Sequence, residues 1–362
     1  MATFPTKLAE AFASKALEIY YANAVTEDIT NQDYEGEIRD KSSILNILTF
    51  GKITSHTYTG ATMTVDDLTE SSGQLQTNQA VDFYFRVKSY DKFRSYIKNP
   101  EGTILDQVGK ELKKVIDTFV LGFYTGAAAG NRIGVPSTVG TVAVSAAGVV
   151  TGTNTNFTSA MVGRGFTCAG LTGWYRVQSV ASTTSLQLQI DIDDETSTYN
   201  GGAISAGATY TVEAVTPLQV SKSTIYDLLN QLANKLDNLE VPEDDRWCVV
   251  SPDIAVVVRE APEFIPSGNP GQADPIVRNG TLGGTLAGFK MYKSPRVNGD
   301  NVNGYHCMAG HKSAITFAMG FVENGMEDLI GNFGKAYKSL NVYGAKVVDE
   351  RRKALTELFC YR

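Results

Sequence analysis

Three side chains that could bind a metal ion lie close together in the stretch "GYHCMAGHK", namely His306, Cys307 and His311. Imidazole and thiolate are ligands that zinc prefers, but a zinc site needs three or four of them at suitable spacing. No second pair of ligands follows nearby in the sequence. We therefore predict no metal ion and no cofactor for this segment.

Four other motifs could carry chemistry and are better explained as turns. "GGTLAGFK" (283–290) has the glycines and lysine of a phosphate loop, but the lysine does not directly follow the second glycine and no Ser or Thr comes after it. It is interpreted as a turn that leads into a strand. "DIDDET" (191–196) lacks the glycine and the distant glutamate of a calcium loop. It is interpreted as a solvated turn, as are "VDDLTE" (65–70) and "PEDDR" (242–246).

Catalytic residues are hard to find in this chain. Its 362 residues include three histidines, and no serine stands in a GxSxG elbow. We therefore predict no catalytic residue, and a protein that acts through contact and is not an enzyme.

Composition excludes several other classes. The net charge is −7, without the basic excess that is typical of proteins that bind duplex nucleic acid. Charged residues interrupt the first 21 residues, so no signal peptide is expected there, and no apolar run reaches the length of a membrane span. The four cysteines are far apart and form no CxxC pair, which favours free thiols in a cytosolic product.

The N-terminal quarter of the chain predicts an arm followed by a long hairpin. Apolar spacing predicts an amphipathic helix over 5–22, and the irregular stretch 24–50 predicts an extended arm. Residues 51–90 predict a hairpin with a polar middle, and a hairpin of that length has little to pack against within its own subunit. Its second strand alternates between an apolar face (Val81, Phe83, Phe85, Val87) and a polar face (Asp82, Tyr84, Arg86, Lys88).

The middle of the chain changes character twice. Apolar residues at three- and four-residue steps predict a long helix over 101–124. Residues 137–214 contain no lysine and show short strand-like runs between turns, which predicts an inserted all-β module, a sandwich or a barrel. The helical pattern returns with Ser221 or Ser223 as the expected N-cap. "RWCVVS" then predicts a short buried strand, Pro252 begins another helix, and the C-terminal residues predict strands.

The order of these parts resembles the major capsid proteins of tailed bacteriophages, whose fold is named after phage HK-ninety-seven. The arm (1–50) and the hairpin "KITSHTYTG…AVDFYFRV" (51–90) precede "GTILDQVGKELKKVIDTFVLGFYTGAA", which resembles the spine helix of a peripheral domain (91–136). "SKSTIYDLLNQLANKLD" and "GFKMYKSPRV" resemble an axial domain (215–325). "GHKSAITFA" and "YGAKVVDERRKALTEL" resemble the ends of such proteins, with 326–362 returning to the peripheral domain.

The resemblance implies an α+β phage major-capsid fold with residues 137–214 as an inserted, immunoglobulin-like β-sandwich or barrel. It also implies a structural protein that self-assembles into an icosahedral shell around double-stranded DNA, without sequence-specific binding and without a membrane. The implied partners are further copies of the chain in pentamers and hexamers, scaffolding and portal proteins, and a decoration protein. The implied location is the virion capsid, after synthesis in the host cytoplasm.

Because the arm and the hairpin would make the contacts between subunits, their charged residues are the assembly candidates: Asp66, Asp67, Glu70, Arg39 and Lys41. Deleting residues 60–79, the expected hairpin tip, should leave a folded subunit that no longer assembles.

Three alternatives stay open at this point. The first is an encapsulin-like nanocompartment shell, against which the all-β insertion argues. The second is a phage tail or adhesin protein that binds glycans through the β module, against which the dominant helical host argues. The third is an enzyme whose site the sequence does not reveal.

Overall fold

The computed structural model of the chain describes residues 25–32, 44–50, 70–88, 100–191, 198–261, 285–328 and 333–362. The helices of the described residues are α1 (Thr26–Ile29), α2 (Pro100–Leu121), α3 (Ile225–Asn238) and α4 (Pro252–Glu260). The first strands are β1 (Ile44–Phe50), β2 (Glu70–Gln76), β3 (Gln79–Lys88), β4 (Arg132–Ile133), β5 (Val135–Ser137), β6 (Thr141–Val144), β7 (Val149–Thr153), β8 (Gly165–Cys168), β9 (Tyr175–Ser182), β10 (Ser185–Gln189), β11 (Ile204–Ala208) and β12 (Tyr210–Thr216). The later strands are β13 (Leu218–Gln219), β14 (Arg246–Val250), β15 (Thr285–Leu286), β16 (Phe289–Lys293), β17 (Gly299–Asp300), β18 (Gly304–His311), β19 (Ile315–Asp328), β20 (Gly334–Val347) and β21 (Leu355–Tyr361). The predicted mixture of helices and strands is confirmed, while the helix predicted over 5–22 lies outside the described residues.

The chain divides into two compact units. The first consists of the described residues within Met1–Glu27, Asn31–Lys113 and Ile315–Glu350. In it β1 pairs antiparallel with β2, from Ile44 opposite Gln76 to Phe50 opposite Glu70. β20 lies between β19 and β3 in a three-stranded antiparallel sheet.

The predicted alternation of β3 is confirmed, whereas the expected first strand of the hairpin over 51–90 lies outside the described residues. Along β3 the apolar residues Val81, Phe83 and Phe85 are half-buried, whereas Asp82, Tyr84 and Arg86 are exposed. β3 pairs with β20, and β2 pairs with β1. Alternation shows which face of a strand is buried but does not show which strand it pairs with.

This pairing corrects the expected effect of deleting residues 60–79. The deletion would remove β2, and the β2 residue Leu75 is fully buried. The subunit would therefore lose part of its core. A loop replacement that stays within residues 51–69, between β1 and β2, spares both strands.

The second unit consists of Asp28–Thr30, the described residues within Lys114–Ala314, and Arg351–Arg362. Its inserted β-domain is one antiparallel sheet with the strand order β11-β6-β7-β10-β9-β8-β12-β5. The all-β insertion therefore runs from β5 to β12, two residues beyond each predicted boundary. Its buried side chains form one apolar core, with Val142, Val144, Val150, Phe157, Met161, Phe166, Cys168, Tyr175, Val177, Leu186, Leu188, Tyr199, Tyr210 and Val212.

A mixed sheet with the order β13-β21-β18-β14-β16-β15 forms the other part of the second unit. β14 is buried along its whole length, as predicted, and runs parallel to β16 and antiparallel to β18. α3 packs against β21 and α4. β21 pairs with β18, β13 and β4, whereas the sequence-based division placed 326–362 with the peripheral domain. An apolar strand pattern does not specify the sheet that the strand joins, and the domain names stay predictions.

The helix starts differ in how well the sequence predicts them. Ser251 is the N-cap of α4, where its Oγ accepts a hydrogen bond from the Ile254 N–H at 3.3 Å and Pro252 follows at the first helical position. The N-cap of α3 is Thr224, not Ser221 or Ser223. Thr224 Oγ1 accepts from the Ser221 N–H at 3.0 Å, so a separate turn closes before this helix begins. None of the helices in the described residues is long and apolar enough to span a membrane.

Candidate functional site

Within the second unit, charged side chains gather where the inserted β-domain meets the mixed sheet. β4 runs parallel to β21 and brings Arg132 opposite Glu357. β12 of the insertion carries Glu213, and Arg164 stands just before β8. We call Arg132, Arg164, Glu213 and Glu357 the junction network.

Arg132 is the centre of the junction network, and its side chain is 2% exposed. Its Nε lies 3.3 Å from Glu357 Oε2, and its Nη1 lies 3.8 Å from Glu213 Oε1. Its terminal nitrogens donate to three backbone carbonyl oxygens at 2.6 to 2.9 Å, those of Thr125, Ala127 and Gly163. One guanidinium therefore fixes the chain before β4, a loop of the insertion and the last strand of the chain.

Glu213 binds backbone N–H groups from both sides of the junction. It accepts from the Gly130 N–H at 2.8 Å and from the Gly165 N–H at 3.0 Å. A Cβ atom at Gly165 would stand 2.4 Å from Glu213 Oε1, so only glycine allows this approach. Burial raises the pKa of Glu213, and this effect outweighs the opposing effects of Arg132 and the backbone donors.

Glu357 is fully buried and nevertheless paired on both oxygens. Its Oε2 accepts from Arg164 Nη1 at 2.8 Å, and its Oε1 lies 2.6 Å from His306 Nδ1. Burial alone would raise the pKa of Glu357, but the hydrogen bond from His306 and the guanidiniums of Arg164 and Arg132 together hold it below its ordinary value. The carboxylate is thus kept ionised inside the protein, where it balances the two arginines.

Aromatic rings hold His306 in place. The imidazole stacks between Tyr124, at 4.0 Å between ring centroids, and Phe359, at 4.3 Å. The guanidinium of Arg164 lies 5.4 Å from the centroid of the Phe359 ring. The orientation of the His306 ring is therefore set by two stacking contacts and one hydrogen bond to Glu357.

A second set of polar contacts joins the insertion to the same region. Asp191 accepts from the Ala129 N–H at 2.5 Å and lies 3.3 Å from Arg352 Nη2. Lys235 on α3 donates to the Gly130 carbonyl at 2.6 Å. Trp174 of the insertion packs on Gly130, since a Cβ atom there would come within 2.7 Å of the indole ring.

These contacts involve most of the charged side chains in the described part of the insertion. Its described residues (135–191 and 198–216) include four charged side chains: Arg164, Arg176, Asp191 and Glu213. Arg164, Glu213 and Asp191 contact residues outside the insertion. Several buried, charge-assisted contacts at one junction fix the insertion on the mixed sheet, in contrast to a domain joined by a flexible linker.

Most of the predicted assembly residues lie outside the described part of the chain. Asp66, Asp67, Arg39 and Lys41 belong to this group. Glu70 is the first residue of β2 and pairs with Phe50 at the end of β1. Their role in assembly stays a prediction.

The cluster of metal-ligand types in β18 does not converge on one point. His306 binds Glu357, whereas His311 Nδ1 lies 2.7 Å from Ser313 Oγ. Cys307 and the other three cysteines are buried, and burial raises the pKa of the Cys248 thiol. No group of three His, Cys, Asp or Glu side chains in the described ranges is placed to hold a metal ion.

The turn motifs have mixed outcomes. In "GGTLAGFK" the described residues form a hairpin of β15 and β16 around Ala287 and Gly288, both with positive φ, which confirms the predicted turn. Three acidic runs were predicted to be solvated turns, and residues 65–69 and 192–196 of them lie outside the described part of the chain. Two of the described residues are not solvated turn charges. Asp191 is the partner of Arg352, and Arg246 of "PEDDR" is 4% exposed and bonded to Asp237 at 2.7 Å.

The sequence-based search missed the junction network, although one signal was available. Glu357 stands alone in the apolar strand "ALTELFCYR", and Glu213 stands alone in "TYTVEAV". A single charge within an apolar strand indicates a buried ion that needs a partner. The identity of the partners depends on strand pairing, which the sequence does not reveal.

Comparison with known proteins identifies the fold. No family model matches the sequence, and no curated protein matches it. A solved structure of Mycobacterium phage Che8 is 17% identical, with a TM-score of 0.54 over 92% of this chain and 90% of that chain. The capsid structure of the cyanophage P-SCSP1u is 12% identical, with a TM-score of 0.50 over 94% and 88%. The mature capsid of bacteriophage PhiM1 is 9% identical, with a TM-score of 0.52 over 93% and 87%. The chain therefore has the α+β fold of phage capsid structures, as the order of its parts predicted.

Proposed function

We propose that the chain is the major capsid protein of a tailed bacteriophage. In this role it is a structural subunit, not an enzyme, and it assembles with copies of itself into the icosahedral shell around double-stranded DNA. The observation that carries the proposal is the fold match with two capsid structures, each over more than nine-tenths of this chain.

Assembly would depend on many weak contacts repeated by symmetry. A two-stranded sheet is marginally stable in water by itself, so the part of the β1–β2 hairpin beyond the buried Leu75 gains from being covered by a neighbouring subunit. Closed symmetry then multiplies each contact over pentamers and hexamers. The candidate residues carry complementary charge, with Asp66, Asp67 and Glu70 on the hairpin side and Arg39 and Lys41 on the arm.

The proposal includes further partners and a location. Scaffolding and portal proteins would direct the closure of the shell, and a decoration protein would bind its outside. The chain would be made in the host cytoplasm and would end in the virion capsid. The packaged DNA would be enclosed without sequence-specific contacts, which agrees with a net charge of −7.

Negative-stain electron microscopy of the recombinant protein, alone and co-expressed with its neighbouring genes, tests the proposal. We expect closed particles or rings of five and six subunits. Only monomers, even with the neighbouring gene products present, would contradict the proposal. DNA-free shells that contain another protein would support the nanocompartment alternative.

A loop replacement tests the role of the hairpin. Replacing residues 51–69 by Asn-Gly joins the paired ends of β1 and β2 through a two-residue turn. We expect this variant to melt close to the wild-type temperature and to form no shells. Replacing Ala287 and Gly288 by Asn-Gly is the matched control, because it changes an existing two-residue turn and should leave assembly intact. Normal shells from the 51–69 variant would show that the hairpin loop is not an assembly element.

A further inference from the structure

A cavity of about 300 Å³ opens beside the junction network, within the second unit. Its lining includes three basic side chains, Arg132, Arg164 and His306, together with the phenol of Tyr124. No Asp or Glu is among the described residues that line it. A cavity with this lining favours an anion over a cation.

Two of the basic side chains keep unused hydrogen-bonding atoms. Arg164 uses Nη1 for Glu357, and its other nitrogens have no hydrogen-bond partner among the described residues. His306 uses Nδ1 for Glu357, and its Nε2 has no partner in the same part of the chain. By contrast, the terminal nitrogens of Arg132 are occupied by backbone carbonyls. Binding would therefore fall to Arg164 and His306, with Arg132 as a fixed positive charge behind them.

The surroundings of His306 leave Nε2 available to an anion. The groups that face His306 are Glu357 and Phe359 from β21, Tyr124 from the turn after α2, and the two arginines. An imidazolium can donate from Nδ1 to Glu357 and from Nε2 to an oxyanion at the same time.

We propose that this cavity binds a small organic oxyanion, a carboxylate or phosphate group on an apolar or aromatic body. The anionic group contacts Arg164 and His306 Nε2. The body packs against the apolar wall formed by Ala160, Val162, Val215 and Phe359. A site of this kind goes beyond shell formation, because it would tie the junction between the insertion and the mixed sheet to a small molecule.

Calorimetric titration of the full chain with benzoate tests the proposal, because benzoate combines a carboxylate with an aromatic body. We expect binding of benzoate at millimolar concentration. Benzamide, which has the same shape without the charge, should not bind. Equal heats for benzamide, or no binding at millimolar benzoate, would each overturn the proposal.

A charge placed at the cavity tests its location without removing a partner of the junction network. Val162 lines the cavity and is 47% exposed, so Val162→Asp should weaken benzoate binding about threefold or more through repulsion. Val139→Asp is the matched control, since Val139 is an exposed valine of the insertion that does not line the cavity. Equal weakening by both variants would place the bound anion elsewhere. If Val162→Asp does not fold, Val162→Lys, which should tighten binding, decides the same question.

Discussion

Replacing Glu357 by Gln changes the charge of the junction network while keeping the shape of the side chain. Glu357 is fully buried and is the partner of Arg132, Arg164 and His306. After the change, two guanidiniums whose side chains are 2% and 11% exposed would share one carboxylate, that of Glu213, which lies 3.8 Å from Arg132. A neutral amide also presents an N–H₂ group to donors that need an acceptor.

The burial of Glu357 determines how much free energy of unfolding we expect the variant to lose. Removing one partner of a buried ion pair typically costs about 3 to 5 kcal/mol, because the remaining charge stays buried without compensation. The control is Glu327→Gln in the first unit, where the Glu327–Lys338 pair is about half exposed. A surface pair of this kind contributes less than about 1 kcal/mol. The two substitutions are chemically identical and differ mainly in burial.

Urea unfolding, followed by tryptophan emission and far-ultraviolet circular dichroism, measures both variants. The emission reports on two places, since Trp174 lies at the junction and Trp247 lies in the buried strand β14. We expect Glu357→Gln to lower the free energy of unfolding by about 3 kcal/mol or more relative to Glu327→Gln. A difference below about 1 kcal/mol would refute the view that the junction network is a strongly coupled buried unit.

The direction in which pH changes the stability difference between the wild type and Glu357→Gln follows from the pKa of Glu357. The pKa of Glu357 is lower in the folded chain than in the unfolded chain, so the unfolded chain binds more protons at mildly acidic pH. The stabilisation from Glu357 is therefore present when the pH lies above the ordinary pKa of glutamate. It is lost as the pH falls through the lower pKa that Glu357 has in the folded chain. We expect the gap between the wild type and Glu357→Gln to be full at neutral pH and to shrink below about pH 4. A gap that widens in acid would contradict the assigned direction.

Three further predictions follow from local geometry. Gly165→Ala should lower the free energy of unfolding, measured by thermal unfolding, by roughly 1 to 3 kcal/mol, because the new methyl group would collide with Glu213. Gly122→Ala is the control: no atom lies within 4 Å of its new methyl group, so the loss should be less than about 1 kcal/mol. Ser251→Ala should lower the free energy of unfolding by about 1 kcal/mol, because it removes the N-cap of α4. Ser223→Ala removes no cap and should have little effect. Equal losses in the two variants would show that the cap is unimportant. All four cysteine thiols are buried, so a chromogenic disulfide reagent should react with them at the rate of unfolding and not within the mixing time, and a rapid reaction of even one thiol would contradict the burial.

The sequence was sufficient to predict most of the elements. Periodicity located the long helix α2 to within one residue at its start and three at its end, the buried strand β14 and the alternation of β3, and it indicated the strand-rich stretch that forms the sheet from β5 to β12. These features depend on local patterns of apolar residues and turns. Their order along the chain was enough to indicate the phage capsid fold.

The junction network depends on non-local pairing and could not be predicted in the same way. Arg132 and Glu357 are 225 positions apart and meet because β4 runs parallel to β21. Asp191 and Arg246 resemble solvated turn charges in sequence, and only the ion pair of Asp191 with Arg352 and the burial of Arg246 show otherwise. Similarly, β2 pairs with β1 and not with β3, a choice that alternation alone leaves open.

The position of β21 in the chain affects the order in which the parts of the protein can fold during synthesis. In the described residues the strands of the insertion pair with one another, between residues 135 and 216, so this domain can form while later residues are still being translated. The mixed sheet cannot be completed at that stage, since its interior strand β21 is translated well after the insertion. Glu357 arrives with β21, and the insertion is therefore fixed to its host only after β21 has been made. Translation products that end before β21 would carry a folded insertion without its anchor.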